Sequence, residues 1–415
     1  MNMQSAQTPA TLKKIAVADL RAGMYLSKLC GSWMQHPFWR TSFVLQDAAQ
    51  IKSLLDSGIE EVWIDTARGL DVLQAPPPAQ AAAAVSPPVP VPAPVPAPAA
   101  ARPVSVTEEM ARARKICAAA SGEVASMFQE VRMGRAFSSA AAAALVADIT
   151  DSVRRNPDAL ISLARLKNAD NYTYMHSVAV CGLMVALAGK LGLTEAQTHE
   201  AGVAGLMHDL GKALMPMDVL NKPGKLTDNE FRVIQGHPQK GYELLLEGGA
   251  AGPMALDVCL HHHEKMDGSG YPHGLKGEAI SLYARMGAVC DVYDAITSNR
   301  PYKAGWEPTE SIQRMTAWSG GHFDKKVFEA FVKSIGIYPT GSLVRLSSGR
   351  LAVVTGQGKQ SLLKPVVRAF FSTKSKLHIV PEVIDLARAG VTESIVGGED
   401  KDAWGITNLE RFWME

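Results

Sequence analysis

Imidazoles and carboxylates collect in a few short stretches of this chain, separated by mostly apolar sequence. His176 lies in Tyr-Met-His-Ser, His208-Asp209 closes the apolar run 201–207, and His237 follows in Gly-His-Pro. Residues 261–272 then read His-His-His-Glu-Lys-Met-Asp-Gly-Ser-Gly-Tyr-Pro, and Asp291 opens Asp-Val-Tyr-Asp-Ala. Six of the eleven histidines (His176, His208, His237, His261, His262 and His263) fall in these short stretches. Burying so many imidazoles beside two carboxylates without a cation would cost on the order of several kcal/mol. A metal centre removes that cost. Two ions about 3.5–4 Å apart could share a hydroxide and neutralise the attacked and leaving oxygens of a phosphodiester. That chemistry needs no nucleophilic Ser or Cys, and the chain has neither a Gly-x-Ser-x-Gly elbow nor a Walker-type phosphate loop. Nitrogen and carboxylate donors without thiolate suit iron or manganese, with zinc as a further option, so Cys259 and Cys290 are not expected to coordinate.

Neighbouring residues on a helix point about 100° apart, so His208 and Asp209 can face one cavity only at a helix end; Gly211 is consistent with such an end. Alone, the dipeptide fits a core histidine beside a surface aspartate. Asp209 is the natural bridge between two ions, because a carboxylate offers two oxygens and an imidazole one lone pair.

Together these segments, with His-Asp-Leu-Gly-Lys at 208–212 and Asp-Ala-Ile-Thr-Ser-Asn-Arg-Pro-Tyr-Lys at 294–303, resemble the HD-GYP family over about residues 165–340. The resemblance implies an all-helical HD-type domain with His176, His208, Asp209, His237, His262, His263 and Asp291 as ligands of two divalent ions. It groups His176, His208 and Asp291 on one ion and His237, His262 and His263 on the other. Some relatives add a glutamate one turn before the first histidine for a third ion; Tyr172 stands there, which favours two. Lys212 is expected on the substrate phosphate or the leaving group, Arg300 and Lys303 on the second phosphate, and Tyr271 along a base or ribose. Asp209 and Lys212 are the catalytic candidates. Gly268, Gly270 and Pro272 would shape the loop carrying Tyr271, and Glu264 and Asp267 would orient ligands from behind. His199, His261, His273 and His322 are expected to be structural. The implied reaction is hydrolysis of cyclic di-GMP to linear pGpG, and onward to GMP, through the shared hydroxide. Spacing alone supports only a metal-dependent phosphohydrolase. Alternatives are another HD-superfamily enzyme, such as a dNTPase or a cyclic mononucleotide phosphodiesterase, or an adaptor that senses cyclic di-GMP or grips a diguanylate cyclase or other signalling protein.

The elements that must position these groups give a multidomain, mainly α chain. Residues 76–103 are almost wholly Pro, Ala and Val, a semi-rigid extended spacer. The expected division is an α+β accessory module at 1–75, a linker at 76–104, the helical domain at 105–338 and a β-containing appendage at 339–415. In the module, 14–17 and 61–64 alternate as strands and 48–55 has helical spacing. Its Gly-Met-Tyr, Gly-Ser-Trp and His-Pro-Phe-Trp runs resemble an uncharacterised domain that precedes HD-GYP domains, and Trp33, Phe38 and Trp39 read as packed core ahead of a binding surface. Helical pattern runs through 106–166, punctuated at Gly122, Gly134 and Asn156-Pro157. It continues at 178–191, 195–207, 228–246, 279–296, 308–319 and 325–335, with stops at Gly192, Gly211 and Gly336. After Pro339, 342–346 and 351–355 alternate as a hairpin and 366–371 is a third strand.

Net charge is +1 with 20% charged residues, which gives no global pull toward DNA, RNA or a membrane surface. No run of about 18 apolar residues suggests a spanning helix, and five dispersed cysteines without a Cys-x-x-Cys pair fit a reduced cytoplasmic setting.

Overall fold

The structure, a computed structural model, describes residues 12–29, 43–56, 61–72, 104–135, 138–165, 172–222, 224–249, 251–298, 305–358 and 360–414. The chain forms two units, 1–102 and 103–415. Trp33, Phe38, Trp39, Arg300, Lys303 and the Pro/Ala-rich run lie outside the described residues.

The first unit is a four-stranded antiparallel sheet with one helix: β1 (Leu12–Ala16), β2 (Tyr25–Leu29), β3 (Phe43–Val44), α1 (Ala48–Asp56) and β4 (Glu61–Asp65), in the order β1-β4-β2-β3. Period-two alternation turns Val62 and Ile64 of β4 inward, where they meet Met24, Leu26, Leu45 and Leu54.

The second unit begins with α2 (Val106–Arg132), α3 (Ser139–Arg155), α4 (Pro157–Arg165), α5 (Tyr172–Leu191) and α6 (Glu195–Met207). Buried Glu109 on α2 accepts two hydrogen bonds from Arg155 at 2.8 Å and one from Ser152 at 2.9 Å, tying α2 to α3. Helix α5 has no polar face: Val178, Val180, Leu183, Met184 and Leu187 are all buried, each stabilising the fold by about 1.5–3 kcal/mol. Among the described residues it is the one helix long and apolar enough to cross a membrane, and it is 78% buried inside the unit. It starts six residues earlier than its apolar pattern predicts, which places His176 within the helix.

Then follow α7 (Met217–Leu220), α8 (Asp228–Ile234), α9 (His237–Glu247), α10 (Pro253–His261), α11 (Leu282–Thr297), α12 (Pro308–Trp318) and α13 (Lys325–Ile335). The single helix expected over 228–246 is in fact α8 and α9, broken at Gln235-Gly236. Pro238, in the first turn of α9, has no N–H to donate back to α8, and the break swings His237 inward. Helix α10, absent from the sequence expectations, opens on Gly252-Pro253, a helix-start signal.

The C-terminal strands β5 (Leu343–Leu346), β6 (Arg350–Gly356), β7 (Val366–Ser372), β8 (Leu377–Asp385) and β9 (Ile395–Gly398) make one antiparallel sheet, β8-β7-β6-β5-β9, followed by α14 (Arg411–Met414). Leu343, Leu351, Val353 and Phe370 share a core with α2 to α6, and Phe370 stacks on Phe412 of α14 at 4.0 Å. The change at 338–339 is therefore from helices to strands within one packed body.

Candidate metal centre

Helix α6 stops at Met207, and the chain tightens into a 3-10 turn at Leu210–Leu214. His208 keeps helical angles, whereas Asp209 moves to φ −102°, ψ 8°, so the two adjacent side chains enter one cavity. Gly211 is not a left-handed stop, as its place after the pair had suggested. A Cβ there would lie 2.0 Å from the His237 carbonyl oxygen and 2.6 Å from the Gly241 nitrogen, so its role is to let the turn seat against α9.

His176 comes from the start of α5, His262 and His263 from the end of α10, and Asp291 from the middle of α11. His176, His208, Asp209, His237, His262 and Asp291 are buried; the His263 side chain is 22% exposed. Their donor atoms form two groups, Asp209 with His237, His262 and His263, and His176 with His208 and Asp291; within each group the atoms lie within 4.8 Å of one another. Asp209 reaches both: its Oδ2 is 3.4 Å from His176 Nε2 and 3.3 Å from His208 Nε2, while its Oδ1 is 3.2 Å from His237 Nε2 and 3.7 Å from His262 Nε2. No cysteine belongs to either group among the described residues.

Hydrogen bonds behind the rings set which nitrogen faces the cavity. His208 Nδ1–H donates to the Gly205 carbonyl at 2.8 Å, His237 Nδ1–H to Ile234 at 2.7 Å, and His262 Nδ1–H to Val258 at 3.0 Å and Cys259 at 3.1 Å. His176 Nδ1–H donates to the Asp294 carboxylate at 2.6 Å. In the neutral rings, each Nε2 then carries a lone pair aimed inward. These lone pairs face each other at 3.3 Å (His176 and His208) and 3.4 Å (His237 and His262), with the two carboxylates between them. Buried Asp209 Oδ1 has no hydrogen-bond donor. A cation between these lone pairs and carboxylates relieves their mutual repulsion, so the residues fit bound metal.

The electrostatics differ across the centre. Burial opposes the charged form of His176, but Asp209, Asp291 and Asp294 outweigh it and push its pKa up to about 10. Desolvation lowers His237, His262 and His263, with His262 down to about 3 and neighbouring imidazoles adding to the fall. Asp209 and Asp291 stay well below the usual carboxylate range: burial would raise them, but Lys212 and the facing imidazoles prevail at Asp209, and His176 and His263 at Asp291.

Comparisons agree with this architecture. Residues 150–327, which contain all seven donors, match the family described as HD domain, and 12–142 match a domain of unknown function, DUF3391. Over 403 residues the chain is 54% identical to cyclic di-GMP phosphodiesterase PA4108 of Pseudomonas aeruginosa, covering 97% of this chain and 95% of that protein. The chain belongs to the HD-GYP family. Two further relatives match over shorter spans. They are the cyclic di-GMP phosphodiesterase response regulator RpfG of Xanthomonas campestris (38% over 197 residues, 46% of this chain and 50% of that one) and a 3′3′-cGAMP-specific phosphodiesterase 1 of Vibrio cholerae (38% over 165 residues, 39% and 38%).

Around the metal-binding groups of this HD-GYP chain, Lys212 Nζ donates to Asp209 Oδ2 at 2.5 Å from one turn away. The Tyr271 ring stacks on His263, centroids 4.6 Å apart. Tyr172, at the glutamate position of a third ion, lies parallel to the His176 ring at 6.1 Å. Glu264 and Asp267 do not orient the ligands as expected. Buried Glu264 accepts from the amides of His273 (2.8 Å) and Leu275 (3.0 Å), and Asp267 accepts from the Ser269 amide (2.8 Å), so both fold the loop back on itself. Gly270 belongs to the same fold-back: a Cβ on it would meet the Glu264 Cα at 2.5 Å. His261 bonds to Asp257 at 2.8 Å and His273 at 3.1 Å, away from the two groups.

Sequence reasoning missed Asp294, the carboxylate that holds His176. Its signal was Asp-Val-Tyr-Asp, an i, i+3 spacing that puts Asp291 and Asp294 on one face of α11. Behind it, a small cavity of about 20 Å³ is lined by Asp158, Arg165, Tyr293, Asp294 and Thr340, among others; its volume suits a single water.

Proposed function

We propose that this chain hydrolyses cyclic di-GMP to linear pGpG, with GMP as the product of a second cleavage, in the cytoplasm. The observation that carries the reading is the convergence of four imidazole Nε2 atoms, each fixed from behind through its Nδ1, on the carboxylates of Asp209 and Asp291. The near full-length relative in Pseudomonas aeruginosa is named for the same activity. Two divalent ions, iron or manganese by donor chemistry, would be held by His176, His208 and Asp291 on one side and by His237, His262 and His263 on the other, with Asp209 between. Bound there, they supply Lewis acidity toward a phosphoryl oxygen and acidify water.

The side chains do the rest. Asp209 keeps its charge through Lys212, and Lys212, partly exposed beside it, is placed to bind the substrate phosphate or to protonate the leaving oxygen. Tyr271 presents a flat face for a base or ribose while its stacking holds the His263 ring. Arg300 and Lys303, just beyond the α11 helix, are assigned to the second phosphate, Arg as a planar fork and Lys as a point charge.

Metal-reconstituted full-length protein incubated with cyclic di-GMP, with pGpG and GMP resolved by chromatography, tests the reading. Conversion that disappears in Asp209→Ala supports it. Binding without turnover would favour the adaptor reading, and inorganic triphosphate from a deoxynucleotide would favour a dNTPase. Because one relative is specific for 3′3′-cGAMP, that nucleotide belongs in the same assay; preferential cleavage of it would replace the substrate assignment while leaving the chemistry intact.

A further inference from the structure

At the far end of α5 from His176, a hollow of about 330 Å³ opens between α3, α4, α5, α6 and α13. Lys190 is fourteen residues beyond His176, about 21 Å along the helix, so this hollow is separate from the candidate metal centre. Its walls are aliphatic, with Val153, Val185, Ala186 and Leu193 among them, and no aromatic ring lines it. Two lysines line it: Lys333, a buried residue on α13 that already has a partner, and Lys190, an exposed residue in the last turn of α5. Lys190 makes no hydrogen bond or ion pair among the described residues. Desolvation lowers the pKa of each, and the charge of Lys190 lowers Lys333 further, against a favourable pull from Glu329 one turn away. At the rim, Arg154 is already neutralised by Glu195 at 2.7 Å. Both lysines stand in the last turn of their helices, where they offset the helix dipoles, but that role requires no aliphatic hollow between them.

We propose that this hollow is a second binding site, for a medium-chain aliphatic anion whose carboxylate or phosphate head lies between Lys190 and Lys333 and whose chain lies on the Val153, Val185 and Leu193 wall. The volume is near the lower end for small-molecule sites, and the absence of ring-stacking partners disfavours a nucleobase.

The test is calorimetric titration of octanoate and of octyl phosphate into the full-length, metal-loaded protein, with octanol and inorganic phosphate as the two half-ligands. Both anions should bind, and each half-ligand should bind at least about tenfold more weakly. Lys190→Gln and Lys333→Gln should each weaken octanoate by about tenfold. Gly189→Leu supplies a variant that keeps every charge. An added Cβ there meets nothing within 4 Å and leucine favours the helix, so the protein folds while its side chain fills the hollow, and binding should be lost. Phosphodiester hydrolysis without added anion should be unchanged in Lys190→Gln and Gly189→Leu. No binding, or binding that survives all three substitutions, overturns the proposal. So does binding that survives Gly189→Leu but disappears in Asp209→Ala, since the anion would then be sitting on the metal ions.

Discussion

The two poles of the candidate metal centre are built on different principles. Around His176 the support is anionic: Asp294 bonds its Nδ1, Asp291 lies 3.0 Å from its Nε2, and Asp209 lies 3.4 Å away. Around His237 and His262 the support is neutral, since backbone carbonyls of Ile234, Val258 and Cys259 take the Nδ1–H bonds and desolvation holds the rings uncharged. The first pole, with Asp291 and Asp294 of its own, attracts positive charge more strongly; the second sets three imidazoles around the one carboxylate it shares, Asp209. Affinity at the first is therefore set by charge, and at the second by geometry and by the packing of α9 and α10. The edge of the second pole is its open side, where His263 is partly exposed under Tyr271.

Removing the carboxylate shared by the poles should have the largest effect. Asp209→Ala is expected to lower turnover by at least about 10³-fold and to deplete metal at both poles, as measured by elemental analysis. Changes confined to one pole should separate them. Asp291→Ala and His237→Ala should each leave about half of the bound metal, with hydrolysis lost in both, and equal depletion of all metal in both would merge the poles into one site. Asp294→Asn keeps a hydrogen-bond acceptor but removes the charge behind His176; a 10–100-fold loss of metal affinity is expected, restricted to the first pole. A matching loss of metal at the second pole would remove the contrast.

The carboxylate surroundings of the first pole extend one layer further, to Asp158, whose pKa burial raises to about 6. Between about pH 4 and 6 the folded protein then holds a proton that the unfolded chain has released. Stability from this group is greatest below pH 4 and falls as the pH rises to 6. Asp158→Asn should flatten that part of the denaturation profile and gain on the order of 2 kcal/mol at neutral pH, read by chemical denaturation across the range. The smallest expected change is Tyr271→Phe, which retains the ring on His263. An unchanged kcat with KM raised less than about tenfold would assign the hydroxyl to substrate contact alone.

The donors announced themselves because imidazoles and carboxylates are costly among apolar neighbours, so their spacing in segments such as 261–272 carries information. Helices with one apolar pattern were readable as well; α6, α12 and α13 begin and end within a residue of expectation. What failed had a tertiary cause. The break between α8 and α9 is hidden by helix-forming residues on both sides of Gly236, and β8 is largely exposed, so it lacks the buried apolar residues that marked β5 and β6. Glu264 was misassigned because proximity in sequence to His263 says nothing about direction: its carboxylate turns to the loop amides. Arg300 and Lys303 lie outside the described residues, so their phosphate role rests on the proposal and on its KM test: Arg300→Ala should raise KM with kcat little changed.

Gly211 and Gly241 touch where the turn after Asp209 meets α9, and a Cβ on Gly241 would in turn press to 2.6 Å from Cys259 Sγ on the helix that carries His262. Three backbone segments bearing three donors are thus nested without a side chain to spare between them. A comprehensive substitution scan should therefore find these two glycines as intolerant as the histidines themselves, including to alanine, although neither has an atom capable of binding an ion.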